Sequence, residues 1–221
     1  MSNLLDDEIR NQVRDVLNGM VHPVEMIFFG NQSEPCEYCE DTRQLLEEVA
    51  SLSDKLTLQV FDLNKDSLLA KQYNVDKTPG FVILGKSADN LDDYGIRYAG
   101  IPAGHEFTSL INDILIVSKR DSGLSPETRE FLNNLNHKVL LQVFVTPSCP
   151  YCPRAVVLAH QMALESPMVE AEMIEAMEFN SLADQFNVSG VPHTVINSGK
   201  GEVVGAVPES HLVQKIREAL A

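Results

Sequence analysis

Apolar residues fall in short dense runs, and the stretches between them carry helical spacing. The run Val24-Glu-Met-Ile-Phe-Phe29 predicts a strand over 24–29, and further strands are predicted over 56–61, 81–84 and 94–99. Helices are predicted from Asp6/Asp7 to Asn18, from the first cysteine pair to about Leu52, over 66–73 and over 105–118. Residues 119–125 are polar, contain Gly123 and lack an apolar period, so they read as a linker. The order then recurs. Ser125 caps a helix with Pro126 at its first position, and a strand follows over 139–145. A helix to about Glu165, strand 170–175, helix 180–186, strands 194–197 and 202–206, and helix 209–220 complete it. Strands separated by helices imply parallel crossovers, and an adjacent last pair implies an antiparallel hairpin. The predicted class is α/β. Two tandem units, 1–120 and 121–221, each hold a mixed sheet flanked by helices, and a pseudo-two-fold is expected to relate them.

The recurrence extends to residue identity. A shift of 113 positions lays Cys36 and Cys39 on Cys149 and Cys152, and Tyr38 on Tyr151, without a gap. It also matches Leu69-Ala70 with Leu182-Ala183, Asn74-Val75 with Asn187-Val188, Pro79 with Pro192 and Val82-Ile83 with Val195-Ile196. The chain is an internal duplication.

The four cysteines form two C-x-x-C pairs, each after a strand and at a helix start. Unpaired N–H groups and the helix dipole favour a thiolate there, and the thiolate is the nucleophile of disulfide exchange. Cys36 and Cys149 are expected to attack, with Cys39 and Cys152 resolving. A shared Cys₄ zinc site is the competing reading. The 110 positions between the pairs far exceed the usual spacing, so no metal is expected.

Each pair is followed, 43 positions after its first cysteine, by a proline, Pro79 or Pro192. Here the residues resemble the thioredoxin superfamily. That resemblance implies cis Thr78-Pro79 and Val191-Pro192, whose backbone would pair with an extended substrate. Cys149-Pro-Tyr-Cys152 is of glutaredoxin type. The stretches Tyr94–Phe107 and Val143–Pro153 look like signatures of the protein disulfide oxidoreductases, glutaredoxin-like proteins with two thioredoxin-like folds found in archaea and thermophilic bacteria. His193, after Pro192, departs from the lysine favoured there. The resemblance implies exchange on protein disulfide substrates, by reduction, oxidation and isomerisation. A thioredoxin-reductase-like flavoprotein would be the reductant, with a peroxiredoxin as a further partner. Two other readings stay open: an electron-relay domain for a peroxiredoxin system, and a non-catalytic peptide-binding adaptor or holdase. The N-terminal domain of alkyl hydroperoxide reductase flavoproteins also pairs two such folds, but with one C-x-x-C.

The chain carries 17 basic and 32 acidic residues, a net charge of −15, which disfavours nucleic-acid and anionic membrane partners. Without a recognisable signal peptide or an 18-residue apolar run, a cytoplasmic location is expected. No nucleotide fingerprint appears, so no cofactor beyond the cysteines is expected. Glu34, Glu37, Glu40 and Asp41 crowd Cys36, whereas Cys149 has Pro150, Arg154 and His193 nearby. Like charge opposes a thiolate, so the second site is expected to be the more reactive. Asp62 and Glu175 align and read as solvated strand ends, and Glu172 and Glu178 as surface. His22, His137, His160 and His211 read as structural or exposed, and His105 lies far in sequence from the sulfurs. Met162, Met168, Met173 and Met177 read as core filling.

Overall fold

The structure is a computed structural model that describes residues 3–33, 35–88 and 90–221. The first half runs α1 (Asp7–Leu17), β1 (Val24–Gly30), α2 (Cys39–Ala50), β2 (Leu56–Asp62), α3 (Ser67–Gln72), β3 (Gly80–Lys86), β4 (Leu91–Ala99) and α4 (Glu106–Lys119). The second runs α5 (Pro126–Asn133), β5 (Val139–Val145), α6 (Cys152–Glu165), β6 (Val169–Glu175), α7 (Asn180–Gln185), β7 (His193–Ile196), β8 (Gly201–Val204) and α8 (Glu209–Leu220). The caps act as the residue types require. Asp6 accepts the Ile9 N–H at 2.8 Å, and Ser125 accepts that of Thr128 at 3.3 Å.

All eight strands join one sheet, in the order β2-β1-β3-β4-β6-β5-β7-β8. Within each half the first two strands are parallel and the later pairings antiparallel. The halves meet where β4 runs parallel to β6, from Ile96 opposite Ala171 to Ala99 opposite Ile174. This corrects the expected pseudo-two-fold. A two-fold would set like edges together, β4 on β8 or β2 on β6. Instead the last strand of the first half receives the second half's counterpart of β2, so the halves join head to tail.

The main core is continuous across that seam. Leu46, Val49, Phe81, Ile96, Ile114, Val143, Val156 and Met173 belong to one buried cluster, each worth about 1.5–3 kcal/mol in burial. Helices α4 and α6 pack together beneath the seam. There Asp113 accepts the Tyr98 hydroxyl and lies 2.5 Å from His160 Nδ1, with His160 and Asp113 fully buried. His160 is therefore structural. Residues 119–125 are less loose than their polarity predicts. Ser122 and Leu124 are buried, Ser122 bonds Glu165 at 2.5 Å, and the Ser125 N–H reaches Glu209 at 3.0 Å.

Candidate functional site

Two sites follow from the duplication. Each strand β1 or β5 delivers the chain into a short loop, and each helix α2 or α6 begins at the second cysteine of its pair. Tyr38 and Tyr151 stand at the N-cap positions without a side-chain cap, leaving the first-turn N–H groups to other partners. At the second site the Cys152 N–H points at Cys149 Sγ from 3.1 Å, and Sγ lies 3.7 Å from the Val191 carbonyl oxygen. A sulfur so placed takes the role of a cap, and charge on it is stabilised by the helix start. Both pairs are disulfide-bonded, with Cα–Cα separations of 5.4 Å for Cys36–Cys39 and 5.5 Å for Cys149–Cys152.

The prolines come where the spacing places them. Thr78-Pro79 and Val191-Pro192 are both cis, and each proline lies at the start of β3 or β7. Pro79 lines the same cleft as Cys36. The Pro79 carbonyl accepts the Gly100 N–H at 2.8 Å, and the Pro192 carbonyl accepts that of Gly205 at 2.7 Å.

The surroundings differ more than the duplication does. Cys39 is half-buried, while Cys149 is 7% exposed and Cys152 fully enclosed. The cleft at the first disulfide has a volume of about 660 Å³, and both halves build it. Glu37, Tyr38, Asp41 and Ile101 come from the first half, and Pro147, Glu175, Met177 and Glu178 from the second. Beside the second disulfide a groove of about 440 Å³ sets His105, Thr108 and Asn112 of the first half against Pro150, Pro153 and Arg154. His105 thus lines the groove that flanks Pro150 and Arg154.

Several carboxylates depart from the sequence reading. Glu34 lies outside the described residues. Glu40 is paired with Arg43 at 2.5 Å and does not line the first cleft. Glu175 is 3% exposed rather than solvated, and burial raises its carboxyl above the usual range. Glu178 is half-buried. Burial, with Glu175 and Glu37 nearby, pushes it up to about 7, against the Ile101 N–H that bonds it at 2.7 Å. Glu172 is enclosed as well and pairs with Lys77 at 2.8 Å across the seam. Asp62 is buried too, but it accepts the N–H groups of Lys65, Gln32 and Asn64, which hold its carboxyl below the usual range. Met177 stands 73% exposed at the first cleft instead of filling the core. His193 is buried on β7 and faces Glu202 at 3.2 Å, so it adds less to the second site than its position in the sequence implies.

Among the described residues no helix is long and apolar enough to cross a membrane. A thioredoxin-domain family profile matches residues 139–218. The F component of alkyl hydroperoxide reductase from Escherichia coli is 28% identical over 96% of this chain, which spans about a third of that protein's length (37%). The solved NTD_N/C domain of alkylhydroperoxide reductase AhpF from Enterococcus faecalis is 26% identical, covers 96% of this chain and 99% of that one, and superposes with a TM-score of 0.86. A protein disulfide oxidoreductase from Aeropyrum pernix is 34% identical over 97% of this chain and 94% of its own, with a TM-score of 0.88. With two C-x-x-C disulfides on paired thioredoxin-like folds, the chain belongs to the protein disulfide oxidoreductase family.

Proposed function

We propose that the chain catalyses thiol–disulfide exchange on protein substrates, with the second site carrying most of it. One observation carries the reading: Cys149 Sγ sits under the Cys152 N–H and beside the Val191 carbonyl, at once activated and next to a backbone on which a substrate can lie. In reduction, the Cys149 thiolate attacks one substrate sulfur. The substrate S–S bond breaks, its leaving sulfur takes a proton, and a mixed disulfide forms. Cys152, losing its proton, attacks Cys149. The second substrate thiolate leaves and is protonated, and two electrons have passed from the protein dithiol to the substrate. Cys36 and Cys39 play the same parts at the first site. Thr78-Pro79 and Val191-Pro192 present the backbone that holds the substrate. Each half, 1–120 and 121–221, is a unit with its own centre, using no cofactor beyond its cysteines, in a cytoplasmic setting.

The oxidised protein is reset by a thioredoxin-reductase-like flavoprotein. The likeness to the alkyl hydroperoxide reductase proteins supports a second reading, relay of electrons toward a peroxiredoxin. The test is reduction of insulin disulfides and reactivation of scrambled ribonuclease by the wild type and by a form with all four cysteines changed to serine. Activity in both assays that vanishes in the cysteine-free form is expected. Equal activity of the two forms would leave a peptide-binding adaptor, and reduction without reactivation would remove the isomerase role.

A further inference from the structure

We propose that the first site selects cystine segments bearing lysine or arginine beside the disulfide, and that the second half of the chain supplies the selecting charge through Glu175 and Glu178. This rests on the reading of Cys36/Cys39 as an exchange site. The cleft at that disulfide is lined by four carboxylates, Glu37 and Asp41 from one half and Glu175 and Glu178 from the other. Among its described lining residues there is no lysine, arginine or histidine.

Glu175 is the key residue. It is 3% exposed, its Oε2 accepts the Glu178 N–H at 2.6 Å, and its Oε1 has no partner among the described residues. An enclosed carboxylate oxygen with nothing to accept from is costly, and an incoming ammonium or guanidinium removes that cost. Glu178 stands beside it with one oxygen held by the Ile101 N–H at 2.7 Å. Burial, and after it the charges of Glu175 and Glu37, raise its proton affinity. Ile101, Pro147 and Met177 supply apolar wall for the stem of a long basic side chain.

The placement relative to Pro79 is close. Gly100, whose N–H bonds the Pro79 carbonyl, lies directly against both acids. A Cβ on Gly100 would come 2.5 Å from Glu175 Cβ and 2.8 Å from Glu178 Oε1. A substrate backbone running along Thr78-Pro79 therefore passes within a side chain's reach of the pair. The second site has no counterpart, because Gly205 makes the same bond to Pro192 yet has nothing within 4 Å of where its Cβ would be.

The experiment compares two cystine peptides that differ in lysine or glutamate flanking the disulfide. Binding to the oxidised full-length chain is measured by titration calorimetry at pH 8, so that it does not depend on exchange. The lysine peptide should bind about tenfold more tightly, the scale of a close interfacial charge pair. That preference should disappear in Glu175→Gln/Glu178→Gln, where the amides keep the acceptors for the Glu178 and Ile101 N–H groups. Equal binding of the two peptides, or a preference that persists in the double variant, overturns the proposal. Turnover of the same peptides by the Cys149→Ser/Cys152→Ser form is a separate measurement. Its absence would remove the catalytic reading of Cys36/Cys39 and leave the binding result to decide the selectivity.

Discussion

The two C-x-x-C sites share their ancestry and their backbone plan, and they differ in what the rest of the chain places around them. The first is more open, acidic and walled by the end of β6 and the turn that follows it. The second is more enclosed at its sulfurs, carries Pro150 and Arg154, and faces His105 across a groove. The difference teaches that duplication copies a reaction centre while the seam between copies diversifies it. A head-to-tail join places the second half's β6 terminus against the first site. At the corresponding place beside Gly205, the second site is open.

The sharpest way to break this comparison is to remove one attacking sulfur at a time. Cys149→Ser should lower insulin reduction by about tenfold or more and abolish nearly all ribonuclease reactivation, while Cys36→Ser should cost less than about threefold in reduction. Equal losses would show that the surroundings do not bias the chemistry. Redox titration of each single-site form sharpens the point. Carboxylates opposing a Cys36 thiolate should make the first couple the more reducing of the two.

Stability reads the seam directly. Gly100 has φ +97° and its Cβ position is filled by Glu175, whereas Gly205 has φ +88° and open space around it. Gly100→Ala should therefore cost about 2–3 kcal/mol and Gly205→Ala about 1 kcal/mol by denaturant unfolding. Matching losses would mean that the carboxylate wall yields freely.

A smaller effect comes from pH. Glu178 rises from 4.5 to about 7 on folding. The folded state then holds more protons than the unfolded one between those values. Its contribution to stability falls as pH rises through that window and stays low above 7. Discounted for solvent screening at a half-buried group, the penalty at pH 8 is about 1 kcal/mol. Glu178→Gln should raise the melting temperature at pH 8 by about 2–4 °C relative to wild type, with the advantage gone near pH 4.5. The smallest effect is expected at Glu40, which Arg43 already neutralises outside the cleft. Glu40→Gln should move the first couple's potential by less than about 10 mV.

Local features were the legible ones. Apolar runs located strands such as β5, cap chemistry located α1 and α5, and the 113-residue recurrence located both cysteine pairs and both cis prolines. What escaped is what long-range packing decides. Glu175 and Glu178 lie about 140 residues from Cys36, and their charge alone made them look like surface groups. Conversely, Glu40 looked relevant by proximity and is turned away to Arg43. Asp113 lies in an otherwise apolar helix, yet it is buried between Tyr98 of its own half and His160 of the other, so one of its two partners comes from across the seam. The alignment of Asp62 with Glu175 was a usable signal, because both are buried, but one accepts loop N–H groups and the other keeps a vacant oxygen.

Joining unlike edges has a consequence for assembly. A contact between unlike surfaces does not use itself up: it leaves one edge of each kind exposed, here β2 at one end of the sheet and β8 at the other. In geometric terms the arrangement is a polar series, to which a further unit or a second copy could be added by repeating the same step. What restrains such growth is the poverty of the terminal strand. β8 is four residues long, begins at Gly201 and stops at the sharp bend of Gly205, so it offers an incoming strand a very short ladder. Lengthening that strand past Gly205 would lengthen the ladder that this edge offers to an incoming strand.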